Sequence, residues 1–432
     1  MDKINIFWHR RDLRVTDNTG LYYSLNDNLP VVPIFIFDTN ILDKLDDKKD
    51  ARVQFILEEL RKINTTYKKY NSGISVFNTT PEEAFDDLIK RYEINAVFCN
   101  RDYEPYGTER DENIRKKLDQ KSIGFLDFKD HVIFEKKEIL TDNNEPYKVF
   151  TPYKNKWLEK LSKNCLEELN SEALLDNLLE YDAPELPTLE DIGFEESPIE
   201  IPENIIEENI LEHYKEDRDY PAKKGTSRLG IHLRFGTRSI REAVKSARKH
   251  SDVWLSELIW RDFYAMVLSN HPSVVDNAFK SKYDSIPWEN NEEHFEKWCE
   301  GKTGYPIVDA GMRELNATGY MHNRVRMVVA SFLTKHLLID WRWGERYFAK
   351  KLLDFELASN NGGWQWAAGT GTDAQPYFRV FNPSSQQDKF DKEMRYIKKW
   401  VPEINTNKYP SPIVDHKKAR ERAINTYKEA VS

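Results

Sequence analysis

What most limits the fold of this chain is a change of rhythm along it. Up to about residue 99, short apolar runs (INIFW at 4–8, VVPIFIF at 31–37, ISVF at 74–77, NAVFC at 95–99) alternate with charged stretches such as ARVQFILEELRKINTTYKKY and PEEAFDDLIKRYE. The short runs have the length and apolar content of buried strands, and the charged stretches repeat apolar residues at helical spacing. Strand and helix in alternation predict βαβ units and a parallel sheet. Pro81 stands where a crossover helix would begin. No GxGxxG or GxxxxGK[ST] cradle accompanies these strands.

Beyond residue 213 the strand pattern disappears. Stretches such as VWLSELIWRDFYAMVL and RYFAKKLLDFELA, punctuated by Gly and Pro, predict helices only. A chain of 432 residues is long enough for two cores. The expected architecture is therefore a Rossmann-like α/β domain over residues 1–130, a connector over 131–213, and an all-helical domain over 214–432. From about residue 160 the connector is acidic and interrupted by Pro184, Pro187, Pro198 and Pro202, which predicts a solvated linker.

Charge is distributed to match. The net charge is −9, but residues 160–213 hold 2 basic against 16 acidic side chains, while residues 214–432 hold 36 basic against 28 acidic. A phosphate-attracting face on the helical half is thus allowed by a net-acidic chain. Cys99, Cys165 and Cys299 are far apart, which argues against a disulfide framework, a zinc site or an iron–sulfur cluster. No metal is expected. No apolar run reaches the roughly 20 residues of a membrane helix, and the start MDKINIFWHRRDLR has charges where a signal peptide is apolar, so a cytoplasmic monomer away from membranes is expected.

Nine of the eleven tryptophans fall between Trp254 and Trp400. Any one of them could fill a helical core; together with LASNNGGWQWAAGTGTDAQPYFRVFNP at 357–383 they suggest more, because a core helix has no use for Asn-Asn-Gly-Gly before two indoles. That segment, with GTSRLGIHLRFG at 225–236, SELIWRDFY at 256–264, GKTGYPIVDAGMRELNATGYMHNRVRM at 301–327 and WHRRDLRVTDN at 8–18, resembles the photolyase/cryptochrome family, and within it the class I cyclobutane pyrimidine dimer photolyases.

The resemblance implies FAD, active as FADH−, in an all-α FAD-binding domain, and DNA with a pyrimidine dimer flipped out of the duplex as the partner. It implies contact with the flavin phosphates by Tyr214, Thr226, Ser227, Arg228, Leu229 and Gly230. Further flavin contacts implied are Trp254, Glu257, Arg261, Asn323, Arg326, Asp354 and Asn360, with Arg326 and Asp354 as an ion pair beside the ring system. Glu356 stands where many members have aspartate. Asn360 is implied to face flavin N5, the position that distinguishes these photolyases from plant and insect cryptochromes. Trp260, Trp366 and Met327 are implied to line the dimer cavity, with Asn323 on the helix face of Met327. Arg324 is implied to contact phosphate or dimer, and Glu257 a pyrimidine. Arg379 and Lys389 are implied at the rim. Trp364, Trp341 and Trp288 match an electron relay. The implied activity is that of a light-driven carbon–carbon lyase.

The pattern also forks. Where some class I members bind a folate antenna through Asn-Glu, this chain reads Tyr106-Gly107, so a second chromophore of unknown identity is expected at most. A single His322 followed by Asn323 argues against a (6-4) photolyase. Only about thirty residues follow Trp400, too few for the signalling extension of a cryptochrome. Bland readings remain for individual residues, among them an i,i+4 pair between Glu257 and Arg261.

Overall fold

The computed structural model describes residues 3–432, which divide into two compact units, each built from separate stretches of chain. The first comprises residues up to 135, 160–205 and 229–246; the second comprises 136–159, 206–228 and 247–432.

The first unit is built on five parallel strands, β1 (Lys3–His9), β2 (Val31–Asp38), β3 (Ser75–Thr79), β4 (Glu93–Asn100) and β5 (Gly124–Phe128), in the order β3-β2-β1-β4-β5. The first four are the expected strands. β1, β2 and β4 are buried almost throughout, as unbroken apolar runs in the middle of a parallel sheet should be. Pro33 is tolerated in β2 because pairing with β3 starts only at Ile34, which leaves Pro33 paired to β1 alone. The fifth strand, GFLDF at the sheet edge, was not expected.

Of the crossover helices α1 (Thr19–Leu25), α2 (Ala51–Tyr67), α3 (Pro81–Arg91) and α4 (Pro105–Asp119), the first three begin at a capping side chain, and α4 begins at a proline. Asp50 caps α2, and Thr80 followed by Pro81 caps α3. The order of strands reverses between β1 and β4, the switch point at which α/β sheets usually take ligands.

Residues 160–205 depart from the solvated linker expected of them. Leu166, Leu175, Leu178, Ile192 and Phe194 are buried, and Leu178 forms a bridge to Val31. The acidic side chains face outward while widely spaced apolar ones bury against the α/β unit. Charge counting registers the first group and overlooks the second.

The second unit is helical apart from one isolated bridge between Leu140 and Pro146. The helices that matter here are α5 (Phe150–Lys160), α6 (Asp252–Asn270), α7 (Pro306–Thr318), α8 (Asn323–Ser331), α9 (Trp341–Lys351), α10 (Leu357–Ala368) and α11 (His416–Val431). A core shared by α7, α8, α9 and α10 includes Trp298, Val325, Phe332, Trp341, Phe348 and Trp364. α8 runs on into a π-helical turn, Phe332–His336, a local widening of the helix often found near functional sites. No helix among the described residues is long and apolar enough to cross a membrane, and no group of three or more His, Cys, Asp or Glu among them could hold a metal.

Candidate active site

The candidate residues of the helical unit come from α6, α8, α10 and the loops before them. On α6, Trp254 is buried, and Glu257 and Arg261 follow at helical spacing on the same side. The pairing of Glu257 with Arg261 does not form. Glu257 instead accepts from Arg218 Nη1 at 2.5 Å, and Arg261 Nη2 reaches Glu356 Oε1 at 2.9 Å. Glu356, the residue preceding α10, also accepts from Ser359 Oγ, so its longer carboxylate is engaged through the side chain.

Arg326 and Asp354 form the expected pair, with Nη2 2.9 Å and 3.1 Å from the two carboxylate oxygens. Burial alone would lower the Arg326 pKa; Asp354 outweighs it, and the guanidinium stays charged. Its Nε donates to Met321 O at 2.7 Å, which fixes the plane of the fork.

α8 opens with His322 as its cap: Nδ1 accepts from Arg324 N, so the ring proton belongs on Nε2, which is buried without a partner. Burial, offset only in part by Asp219, pushes His322 down to about 4, so the imidazole is neutral near pH 7. Asn323 and Met327 lie one turn apart, the first exposed and the second half-buried. Arg324 Nη2 pairs with Asp219 Oδ1 at 2.9 Å, and its guanidinium lies over Phe390.

Tyr214 is buried, Thr226 and Ser227 are half-buried, and Arg228 is exposed with φ of +53°, a left-handed conformation rare for a side chain of its size. Tyr320 gathers this stretch, with its hydroxyl 3.2 Å from Thr226 Oγ1 and its ring 4.3 Å from the Arg228 guanidinium. Leu229 and Gly230 open the segment that clusters with the α/β unit, so the expected phosphate stretch divides after Arg228.

Asn360 is the most constrained of the candidates. Its Nδ2 donates to Glu345 O at 3.1 Å and to Glu345 Oε1 at 2.8 Å. A backbone carbonyl and a carboxylate side chain on that side hold the NH2 end there and leave Oδ1 as an acceptor. One turn on, Gly363 is exposed, and a side chain there would meet nothing within 4 Å. This combination fits a flat heterocycle presenting an N–H: an oriented carbonyl acceptor beside bare helix backbone, with the Arg326–Asp354 pair in the same helical unit. The residues present therefore fit FAD.

Trp364 and Trp341 are buried and Trp288 is partly exposed. Trp364 packs so tightly on α9 that a Cβ at Gly344 would lie 2.1 Å from its ring. Trp288 meets Tyr427 of α11 edge-on at 5.8 Å. Trp260 and Trp366 are half-buried, and Arg379 and Lys389 are exposed. Arg218, Asp219, Tyr320 and Glu345 were not expected at the site. Each engages an expected residue, but from a position distant in the chain, as far as 105 residues for Asp219 and Arg324.

In the α/β unit, Tyr106 gives its hydroxyl to Asp38. Gly107 packs on Asp102, where a Cβ would lie 2.6 Å from the carboxyl group, so the glutamate of the folate-binding pattern has no room here.

Comparison with known proteins agrees with this geometry. Residues 5–172 match the DNA photolyase family model, and residues 254–408 match that of the FAD binding domain of DNA photolyase. The chain is 36% identical to the deoxyribodipyrimidine photo-lyase of Halobacterium salinarum, over 99% of each chain. Among solved structures it is similar to a class III photolyase from Agrobacterium tumefaciens (TM-score 0.87, 31% identity, covering 100% of this chain and 98% of that one). It is also similar to an archaeal photolyase from Sulfolobus tokodaii that holds two FAD molecules (TM-score 0.80, 35% identity, covering 98% and 99%). With a full-length relative above 30% identity and both halves matched in order, the chain belongs to the DNA photolyase family.

Proposed function

We propose that this protein is a deoxyribodipyrimidine photo-lyase, which uses blue light to split cyclobutane pyrimidine dimers in DNA. The observation that carries the reading is the fixed orientation of Asn360, whose amide nitrogen is spent on Glu345 so that only a carbonyl acceptor remains. Such an acceptor favours a reduced flavin, whose N5 carries a proton, without adding a charge.

Tyr214, Thr226, Ser227, Arg228, Leu229 and Gly230 hold the phosphates of FAD, where hydroxyls, backbone N–H groups and a cation suit an anion. Trp254, Glu257, Arg261, Asn323, Arg326, Asp354, Glu356 and Asn360 surround the rest of it. FAD bound there in its reduced form would supply light-driven electron chemistry with no net redox change. Trp260, Trp366 and Met327 supply apolar walls that replace the stacking lost when the lesion leaves the duplex. Glu257 accepts a hydrogen bond from a pyrimidine N–H and holds the base in register. Arg324, Arg379 and Lys389 meet the phosphate backbone. Trp288, Trp341 and Trp364 pass an electron inward from the surface to regenerate the reduced state. In the α/β unit, Tyr106 and Gly107 are incompatible with a folate held by an Asn-Glu pair, so a second chromophore there is held by other contacts.

The test is illumination of the photoreduced protein with a thymine-dimer oligonucleotide. Absorbance near about 260 nm recovers in blue light and not in the dark as the 5,6 double bonds of the bases return. Absence of recovery with reduced flavin bound would refute the reading.

A further inference from the structure

Helix α5 lies in the stretch expected to be a connector, yet three side-chain contacts bind it to α6. Phe150 stacks on Trp260 with ring centroids 3.7 Å apart and planes 7° from parallel. Lys154 Nζ donates to Ser256 Oγ at 2.5 Å, and the buried Trp157 donates from Nε1 to Asp262 Oδ2 at 3.0 Å. The start of α5 is fastened to a second segment: Phe150 N donates to Asp373 Oδ2 at 3.1 Å, and Thr372 Oγ1 donates to Lys148 O at 2.7 Å. That segment continues into the exposed pair Phe378 and Arg379.

Trp260 is the only indole in this group of contacts whose surface stays partly open. Phe150 is 8% exposed and covers one π face of it; Phe263 meets it edge-on at 5.6 Å and Tyr264 at a tilt at 5.3 Å. An indole carried on a helix by two rotatable bonds would otherwise turn when its pocket is empty, and ordering it would cost binding energy each time a lesion enters. The parallel stack removes that freedom in advance.

We propose that Phe150 is a positioning residue for the lesion, fixing the plane of Trp260 so that its remaining surface meets the flipped-out pyrimidines. Its backbone N–H, through Asp373, sets the 370–379 segment in the same register. The inference rests on the reading of Trp260 as a wall of the lesion cavity. Because Phe150 acts only through Trp260, it affects the flipped lesion and leaves non-specific phosphate contact and flavin chemistry alone.

The experiment compares F150A, F150L, F150Y, W260A and F150A/W260A as full-length flavoproteins. It measures affinity for a duplex with one thymine dimer, affinity for the undamaged duplex, FAD content and rate of photoreduction. Expected for F150A and F150L is a loss of dimer affinity of roughly fivefold to tenfold, the worth of one stacked aromatic pair. Undamaged-DNA affinity, FAD content and photoreduction stay at the parent level, F150Y restores dimer binding, and F150A adds nothing in the W260A background. F150L keeps the apolar volume and covers the case in which F150A does not fold. Dimer affinity unchanged in F150L while W260A loses it would overturn the role of Phe150 alone. Unchanged affinity in W260A as well would overturn the assignment of the cavity wall beneath it. A parallel loss of undamaged-DNA affinity or FAD content would reduce Phe150 to a packing residue and overturn the proposal.

Discussion

In the α/β unit, Asp130 is 1% exposed and lies between Arg14 and Arg241, with Nη2 atoms at 2.6 Å and 2.9 Å and the Thr19 hydroxyl at 2.8 Å. In the helical unit, Glu257 and Arg324 are only half-buried, and their partners, Arg218 and Asp219, are neighbours in one loop. The first arrangement is closed: Arg241 also grips Asp17, and no water-facing side is left to exchange. The second is open. The adjacent, oppositely charged residues Arg218 and Asp219 hold Glu257 and Arg324, the two groups proposed to meet DNA, and pairs this exposed would exchange for substrate at small cost. Buried ion pairs are expensive to break, whereas half-exposed ones are worth little, so the same chemistry serves architecture in one unit and readiness in the other.

The contrast can be broken at four points, taken here from the largest expected effect to the smallest. Replacing Asp130 with alanine strands two buried guanidiniums and should cost about 3–5 kcal/mol in stability, read from chemical unfolding. Burial pushes the Asp130 carboxyl up, but Arg14 and Arg241 outweigh that and hold it well below the usual range. Its contribution is therefore present above the unfolded carboxylate pKa near 4 and is lost as pH falls below it. Asn360→Ala leaves the fold intact and removes the oriented acceptor. Repair per absorbed photon at saturating dimer DNA should fall on the order of a hundredfold, with dimer affinity kept.

His322→Gln tests the neutral imidazole. Because burial holds His322 down at about 4, against 6.5 when free, the unfolded chain binds more protons between those values, and stability drops on acidification through that window. The variant should flatten the pH dependence of unfolding there in part, leaving the shares of His336, which burial also lowers to about 3, and of His232, His271 and His416, which burial lowers as well. Asp219→Asn is the mildest. Stability should change by less than about 1 kcal/mol. The freed Arg324 should bind phosphate more tightly, whereas Arg324→Gln should flatten the plot of log affinity for DNA against log salt by about 0.9; an unchanged slope in Arg324→Gln would mean that Arg324 does not meet phosphate.

What could be read in the sequence follows the range of the interactions. β1 to β4 and the Pro81 start of α3 are local patterns and were legible; the Asn-Asn-Gly-Gly-Trp segment stood out as unusual, but that it forms the helix α10 was not read. The edge strand β5 was passed over, although three of its five residues are apolar. Residues 160–205 looked like solvent because thirteen acidic side chains mask the Leu and Ile residues between them. At the site, Arg326 and Asp354 were legible as a pair. The partners Arg218, Asp219, Glu345 and Phe150 were not, since each acts across 15 to 110 residues, where spacing carries no information.

The grip of Arg241 on Asp17 and Asp130 has a consequence for how the protein is made. On the ribosome, all five strands of the sheet emerge before Arg241, the second guanidinium on the buried Asp130. At typical elongation rates the delay between Asp130 and Arg241 is roughly 5 to 20 s. During that interval the nascent sheet has Arg14 but lacks its second guanidinium, so the α/β unit completes its core only after more than half of the polypeptide has been translated.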